Sequence, residues 1–255
     1  MKKIFWTSIY SGKKLMLWCV YLIFVLYIVK LVITTEQTGA KLIFAVIGAI
    51  VVSVVLLFEY LKRKYDHMIY SLAMDCSIPQ AEALKQQLIE KDIFHGFRRS
   101  IYIFDALLLL DKGDYQGCLN HLAAHEAFFR STYDYLFIYY HTQLHCYYFL
   151  NQHEQAEQVL PALLKLKQLK KKQLSGLYSW EEIEGIKFYL QGRNKKSVEA
   201  FERVDTTLLN NREQAYLFYM MGRSQLAAGH LAEGNRLIKE ARLIGTTLHI
   251  KTVGA

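Results

Sequence analysis

The sequence predicts an all-α protein in two parts: a two-helix transmembrane hairpin, then an α-solenoid of stacked helical hairpins. Three observations carry this expectation. Two uninterrupted apolar runs stand near the N-terminus, Leu15–Thr34 and Leu42–Leu61. The 255 residues hold two prolines, Pro79 and Pro161, which suits helices and disfavours a loop-rich or all-β chain. From Lys62 onward, apolar residues recur at helical spacing, and the pattern repeats along the chain.

Each apolar run is about long enough to cross a ~30 Å hydrocarbon core at ~1.5 Å per residue. Thr35–Lys41 alone separates them, so the pair must fold back antiparallel with both chain ends on one side. Lys2, Lys3, Lys13 and Lys14 precede the first run, and Lys62, Arg63 and Lys64 follow the second. The link offers only Glu36 and Lys41. The positive-inside tendency then places both termini in the cytoplasm. The first run exceeds the apolar core of a signal peptide, and a second follows at once, which speaks against a cleaved leader. Residues 1–61 thus read as tail and hairpin, and residues 62–255 as a cytoplasmic domain of ordinary size. The short lysine-rich start, without eukaryotic targeting features, points to the plasma (inner) membrane of a bacterium. In the second run Ala45, Ala49 and Ser53 fall at i, i+4 and i+8, with Gly48 beside them. Small residues let membrane helices approach closely. This stripe can face the first run, a partner helix, or a second copy of the chain. Lys30, near the outer end of the first run, can snorkel to the interface.

Composition excludes several functions. The chain carries 31 Lys+Arg against 23 Asp+Glu, a net charge of +8. Residues 1–61 hold six bases and two acids (+4), and residues 62–255 hold 25 bases and 21 acids (+4), so no basic stripe for nucleic acid is indicated. The basic run Lys165, Lys167, Lys170, Lys171 and Lys172 suits a solvated helix end or a contact with anionic lipid. Cys19, Cys76, Cys118 and Cys146 form no CxxC pair, and Cys19 lies inside a span. In a cytoplasmic domain they read as small apolar packing residues. No Walker loop, dinucleotide fingerprint, kinase motif set or GxSxG elbow occurs. No enzyme activity and no cofactor are therefore expected.

The repeat is anchored at Cys76, Gly113, Asn151, Gly192 and Gly229, spaced 37, 38, 41 and 37 residues apart. Each anchor follows an apolar helical run. Five residues later comes a small residue: Ala81, Cys118, Ala156, Ser197 and Gly234. After the last four anchors, nine residues on, comes a large apolar one: Leu122, Leu160, Phe201 and Ile238. The anchor can end helix A in the left-handed conformation. The small residue lets helix B approach helix A, and the large one fills the space between hairpins. No hairpin of this kind buries its apolar face alone, so neighbours must stack. Pro161 falls inside a predicted helix B and should kink or split it.

These residues resemble the tetratricopeptide repeat in a degenerate form. The best match is Tyr219–Ala241, where Gly222 lies seven residues before Gly229. Gly185 stands likewise before Gly192, and Ala106 before Gly113, whereas Leu144 departs from the pattern. The resemblance covers Arg98–Gly245 well and Lys62–Gly96 poorly. It implies a concave groove lined by helix A residues, here His141, His145, Tyr148, Glu182, Tyr189, Tyr216, Tyr219 and Arg223. Tyrosine offers large contact area with few rotors, which suits recognition. Two HxxxH pairs, His121/His125 and His141/His145, have metal-gripping spacing. His125 falls at a packing position and His141/His145 on the groove, so the pairs are expected to face different surfaces and no metal is expected.

The resulting expectation is a membrane-anchored adaptor or scaffold. Its cytoplasmic groove would bind a peptide segment of another, membrane-associated protein, with the lipid bilayer as its second partner. The competing expectation is an integral subunit or regulator of a transporter, secretion or envelope-assembly complex, with the hairpin as the main contact.

Overall fold

The computed structural model describes residues 2–169 and 179–252; for residues 2–15, 17, 168 and 169 it describes the backbone alone. Among the described residues the chain is helical throughout, with twelve α-helices and two short 3-10 turns. It divides into two compact units, Met1–Arg63 and Lys64–Ala255.

The first unit contains α1 (Lys2–Thr34) and most of α2 (Thr38–Ala73). Among the described residues α2 is the one helix long and apolar enough to cross a membrane, while the apolar part of α1, Trp18–Thr34, is shorter. Of the small-residue stripe of α2, Gly48 is buried against α1, while Ala45 and Ala49 are exposed. A Cβ at Gly48 would lie 2.6 Å from Ile28 Cγ2, so only glycine admits that side chain. Ala45 and Ala49 border the same crevice with Phe24, Val25 and Val29. Ser53 is exposed, and its hydroxyl donates to the Ala49 carbonyl at 2.8 Å.

The second unit takes in the last turns of α2, where Met68, Ser71 and Leu72 are buried. Five helical hairpins succeed one another. The first pairs the end of α2 with α3 (Ile78–Lys91). The others are α4 (Arg98–Lys112) with α5 (Tyr115–Ala124), α7 (Tyr133–Phe149) with α8 (His153–Leu169), α9 (Trp180–Leu190) with α10 (Asn194–Glu202), and α11 (Asn211–Ala227) with α12 (Leu231–Ile244). The short α6 (Glu126–Phe129) intervenes before α7.

Every anchor is left-handed: Cys76 at φ 49°, Gly113 at 78°, Asn151 at 55°, Gly192 at 69° and Gly229 at 90°. The backbone reverses there, and at Gly113 its N–H returns to the Leu109 and Leu110 carbonyls. The small residues five places on are buried. Three hairpins show why they are small. Cys118 Sγ donates to the Ala106 carbonyl at 3.2 Å, and Ser197 Oγ to the Gly185 carbonyl at 2.7 Å. At the third, a Cβ on Gly234 would come within 3.0 Å of the Gly222 carbonyl. Helix B thus lies directly on helix A at positions twelve residues apart.

α8 runs unbroken through Pro161, contrary to the expected split. Pro161 and Glu157, the residue whose carbonyl loses its bond, are both exposed, so water can satisfy that carbonyl.

The run of hairpins closes on itself. Past α12, Thr247 Oγ1 donates to the Cys76 carbonyl at 2.7 Å and accepts from Ile78 N at 2.8 Å. Thr246 Oγ1 donates to the Asp75 carbonyl at 3.1 Å. Asn211 Nδ2, at the start of α11, donates to the Met74 carbonyl at 2.6 Å. The His249 ring meets the Tyr115 hydroxyl at 3.2 Å. The last hairpin and the tail are therefore bonded to the first two.

Candidate functional site

Four helix A segments, α4, α7, α9 and α11, face one another across the middle of the second unit. Long side chains fill the space between them. From α4, Asp111 is fully buried, and both its carboxylate oxygens accept from Arg212 Nε of α11, at 2.9 and 2.7 Å. Burial pushes the Asp111 carboxyl up, and the guanidinium opposes that rise. The Arg212 guanidinium also lies over the Tyr216 ring, 5.1 Å from its centroid. This pair joins elements 101 residues apart and holds the closure from inside.

Beside it, α7 presents His141 and His145 one turn apart, their ring centroids 4.4 Å from each other. Both face Glu182 in the first turn of α9. His141 Nε2 lies 3.5 Å from Glu182 Oε2, and His145 Nε2 lies 3.2 Å from Oε1. Phe137 stacks on His141, and Tyr216 closes edge-on over His145. Burial, with His145 as neighbour, pushes His141 down to about 4, so the ring is neutral at physiological pH. Burial alone would raise the Glu182 carboxyl, but the two imidazoles bring it well below the ordinary range. Glu213 lies on the same cavity, and burial pushes its carboxyl up to about 7.

Further along α7, Tyr148 is fully buried against Tyr189 of α9, ring to ring at 5.1 Å. The Arg223 guanidinium of α11 lies 5.0 Å from the Tyr148 centroid and 5.2 Å from that of Tyr189. Its Nη2 donates to Asn151 Oδ1 at 3.3 Å. Tyr219 packs on Phe149.

The eight expected groove residues do converge, but not as an open groove. His141, His145, Tyr148, Tyr216 and Tyr219 are buried. Glu182, Tyr189 and Arg223 are half-buried. Side chains of α7, α9 and α11 fill this face against one another, and its rings pack as core. Arg223 with Tyr189 is the part that reaches solvent. Among the described residues no carboxylate pairs with Arg223, whereas Arg212, Arg203 and Arg236 each have one.

The two histidine pairs do sit apart. His121 Nε2 meets the Tyr102 carbonyl at 2.9 Å, and His125 stacks on the Tyr102 ring at 3.9 Å. That pair is packing. What the spacing did not reveal is that the other pair shares a carboxylate, because Glu182 lies on a different helix. Asp111, Arg212 and Glu213 were also missed. The available signals were an acid ending the apolar run of α4 and an Arg-Glu pair opening α11. Of the basic run, Lys167 Nζ pairs with Glu184 at 3.4 Å and lies over Trp180, while Lys170, Lys171 and Lys172 fall outside the described residues. No family model, no curated protein and no solved structure matches this chain.

Proposed function

We propose that the protein is a membrane-anchored adaptor that engages an acidic segment of a partner protein at Arg223. The anchor is the pair α1 and α2, both crossing the bilayer, with the second unit on the cytoplasmic side beside the flanking lysines and arginines. The body is a degenerate tetratricopeptide-like array in its repeat positions, closed by its C-terminal tail. This architecture recognises other chains and carries little chemistry of its own.

The observation that carries the reading is Arg223. Its guanidinium is half-buried and sits against the edge of the Tyr148–Tyr189 ring pair, 5.0 and 5.2 Å from the two centroids, with no carboxylate partner among the described residues. A cation so placed has lost part of its hydration, and a carboxylate can displace the weaker neutral acceptors, such as Asn151, that its N–H groups now meet. The oligomer and transporter-subunit readings depend on a free face of α2. Ile28 of the same chain covers Gly48 there, while Ala45, Ala49 and Ser53 stay exposed, so that face can still take a partner helix.

The test is photocrosslinking in native membranes from a probe at Gln152, next to Asn151. Wild-type adducts should fall several-fold in Arg223→Gln and vanish in Arg223→Glu. Unchanged adducts in Arg223→Glu would end the proposal.

A further inference from the structure

Among the described residues, one group of three side chains is placed to hold a metal ion: His141 and His145 of α7 with Glu182 of α9. We propose that they bind one divalent transition-metal ion of the zinc class, which ties α7 to α9 inside the body.

The geometry comes first. Histidines at i and i+4 present both rings from one helix face to a single point. Zinc bonds nitrogen and carboxylate oxygen at about 2.0–2.2 Å, so tetrahedral ligands lie about 3.3–3.5 Å apart. His141 Nε2 lies 3.5 Å from Glu182 Oε2 and His145 Nε2 3.2 Å from Oε1, so each ring is at ligand spacing from one carboxylate oxygen. All three donor atoms lie within 4.8 Å of one another, so a rotamer adjustment of the rings completes the cradle.

Hydrogen bonding points the same way. His145 Nε2 is buried, and its 3.2 Å approach to a carboxylate oxygen is not an aligned hydrogen bond. A proton on that nitrogen would be aimed past the oxygen. With the proton on Nδ1 instead, a nitrogen lone pair faces carboxylate lone pairs in a buried space. A cation between them turns that repulsion into ligation and satisfies the atom.

The surrounding charge also favours a cation. Arg212 borders the same cavity, but its charge is held by Asp111. Glu182 then faces two imidazoles that are neutral in their ligand form, with Glu213 as a second carboxyl on the cavity wall. A gap of about 30 Å³ adjoins the donors. That is room for about one water, which would complete four-coordination. Two imidazoles and one carboxylate select zinc-like ions over calcium and magnesium, which prefer all-oxygen sites. His121 and His125 lack these features: among the described residues no carboxylate completes a ligand group with them, and His121 Nε2 is engaged with the Tyr102 carbonyl.

The experiment uses the full-length chain in detergent, stripped with chelator and dialysed against Zn²⁺ alone. One Zn²⁺ per chain should bind and survive excess Mg²⁺. X-ray absorption at the zinc edge of the wild-type protein should show two imidazole ligands. His145→Ala and Glu182→Gln should each weaken binding roughly 100-fold while the helical circular dichroism persists. The double variant His121→Ala/His125→Ala should bind as wild type. Absence of stoichiometric zinc, or a wild-type spectrum without two imidazoles, would overturn the proposal, as would binding that follows His121 and His125. The wild-type spectrum decides the matter alone if the site variants misfold.

Discussion

Gly222 is where α12 lies closest on α11, and adding one carbon there should destabilise the second unit. A Cβ would lie 2.8 Å from Ile238 Cγ1, 3.0 Å from the Gly234 carbonyl oxygen and 3.2 Å from Ile238 N. Two of these three atoms are backbone and cannot rotate away. Nor can α12 shift outward freely, because Thr246 and Thr247 beyond it are bonded at Asp75 and Cys76. In an open helix the change from glycine to alanine gains about 1 kcal/mol. Overpacking a close-packed crossing costs about 1–3 kcal/mol. Gly222→Ala should therefore lose about 1 kcal/mol net, a fall in Tm of roughly 2–4 °C in a body of this size. Gly222→Leu has no room at all and should lose about 3 kcal/mol or more. Gly192 serves as the contrast. A Cβ there meets nothing within 4 Å, and only its φ of 69° demands a permissive residue. Gly192→Asn should cost little, because asparagine tolerates the left-handed region. Thermal melts of the full chain in detergent, followed by circular dichroism, separate the cases. A neutral or stabilising Gly222→Ala would mean that α11 and α12 do not approach as described.

Three further outcomes are expected. Asp111→Ala leaves Arg212 buried without its carboxylate and should cost about 3–5 kcal/mol by denaturant titration, whereas Asp111→Leu with Arg212→Met should recover most of that loss. Glu213 keeps a proton in the folded chain up to about pH 7, while its reference carboxyl releases it near 4.5. Its contribution is full below the lower value and declines as pH rises through that window. Glu213→Gln should thus gain stability relative to wild type between about pH 5 and pH 7; a difference that stays flat would refute the burial of that carboxyl. His141, held neutral by burial, tilts the wild-type profile the opposite way, so the difference between the two proteins is the readout. Alkaline carbonate washing should leave the full chain in the membrane fraction. Its release would contradict the anchor.

The hairpin boundaries were legible because left-handed caps restrict residue choice. Glycine and asparagine filled four of the five anchors, and Cys76 was placed by spacing alone, since cysteine is no left-handed residue by type. The close crossings were legible too, since Ala106, Gly185 and Gly222 leave room that a larger side chain would occupy. The interior was not. α7 buries Phe137, Tyr139, His141, Thr142, Leu144, His145, Cys146 and Tyr148 over more than half of its circumference, and the remaining arc carries half-buried Leu136, Tyr140, Gln143 and Tyr147. A helix surrounded by neighbours has no polar face, so periodicity cannot say which side meets what. Closure was equally hidden. The Asp111–Arg212 pair and the Thr247–Cys76 contact span 101 and 171 residues, and nothing local in the sequence encodes such a pairing. The groove reading failed in the interior. The expected residues lie on facing helix A segments, and the contacts of α7, α9 and α11 with one another bury five of them.

The closure of the hairpin run joins its two ends, and one crosslink tests it. Asp75 and Thr246 are exposed and joined by a 3.1 Å hydrogen bond from the Thr246 hydroxyl to the Asp75 carbonyl. The variant Asp75→Cys/Thr246→Cys, in a Cys19→Ser background, should form an intramolecular link with a short bis-maleimide in native membranes, and the link should raise the Tm. An open array would hold these positions far apart. If both thiols label singly with maleimide yet no intramolecular link forms, the array is open, and the return of the tail to Asp75 and Cys76 is wrong.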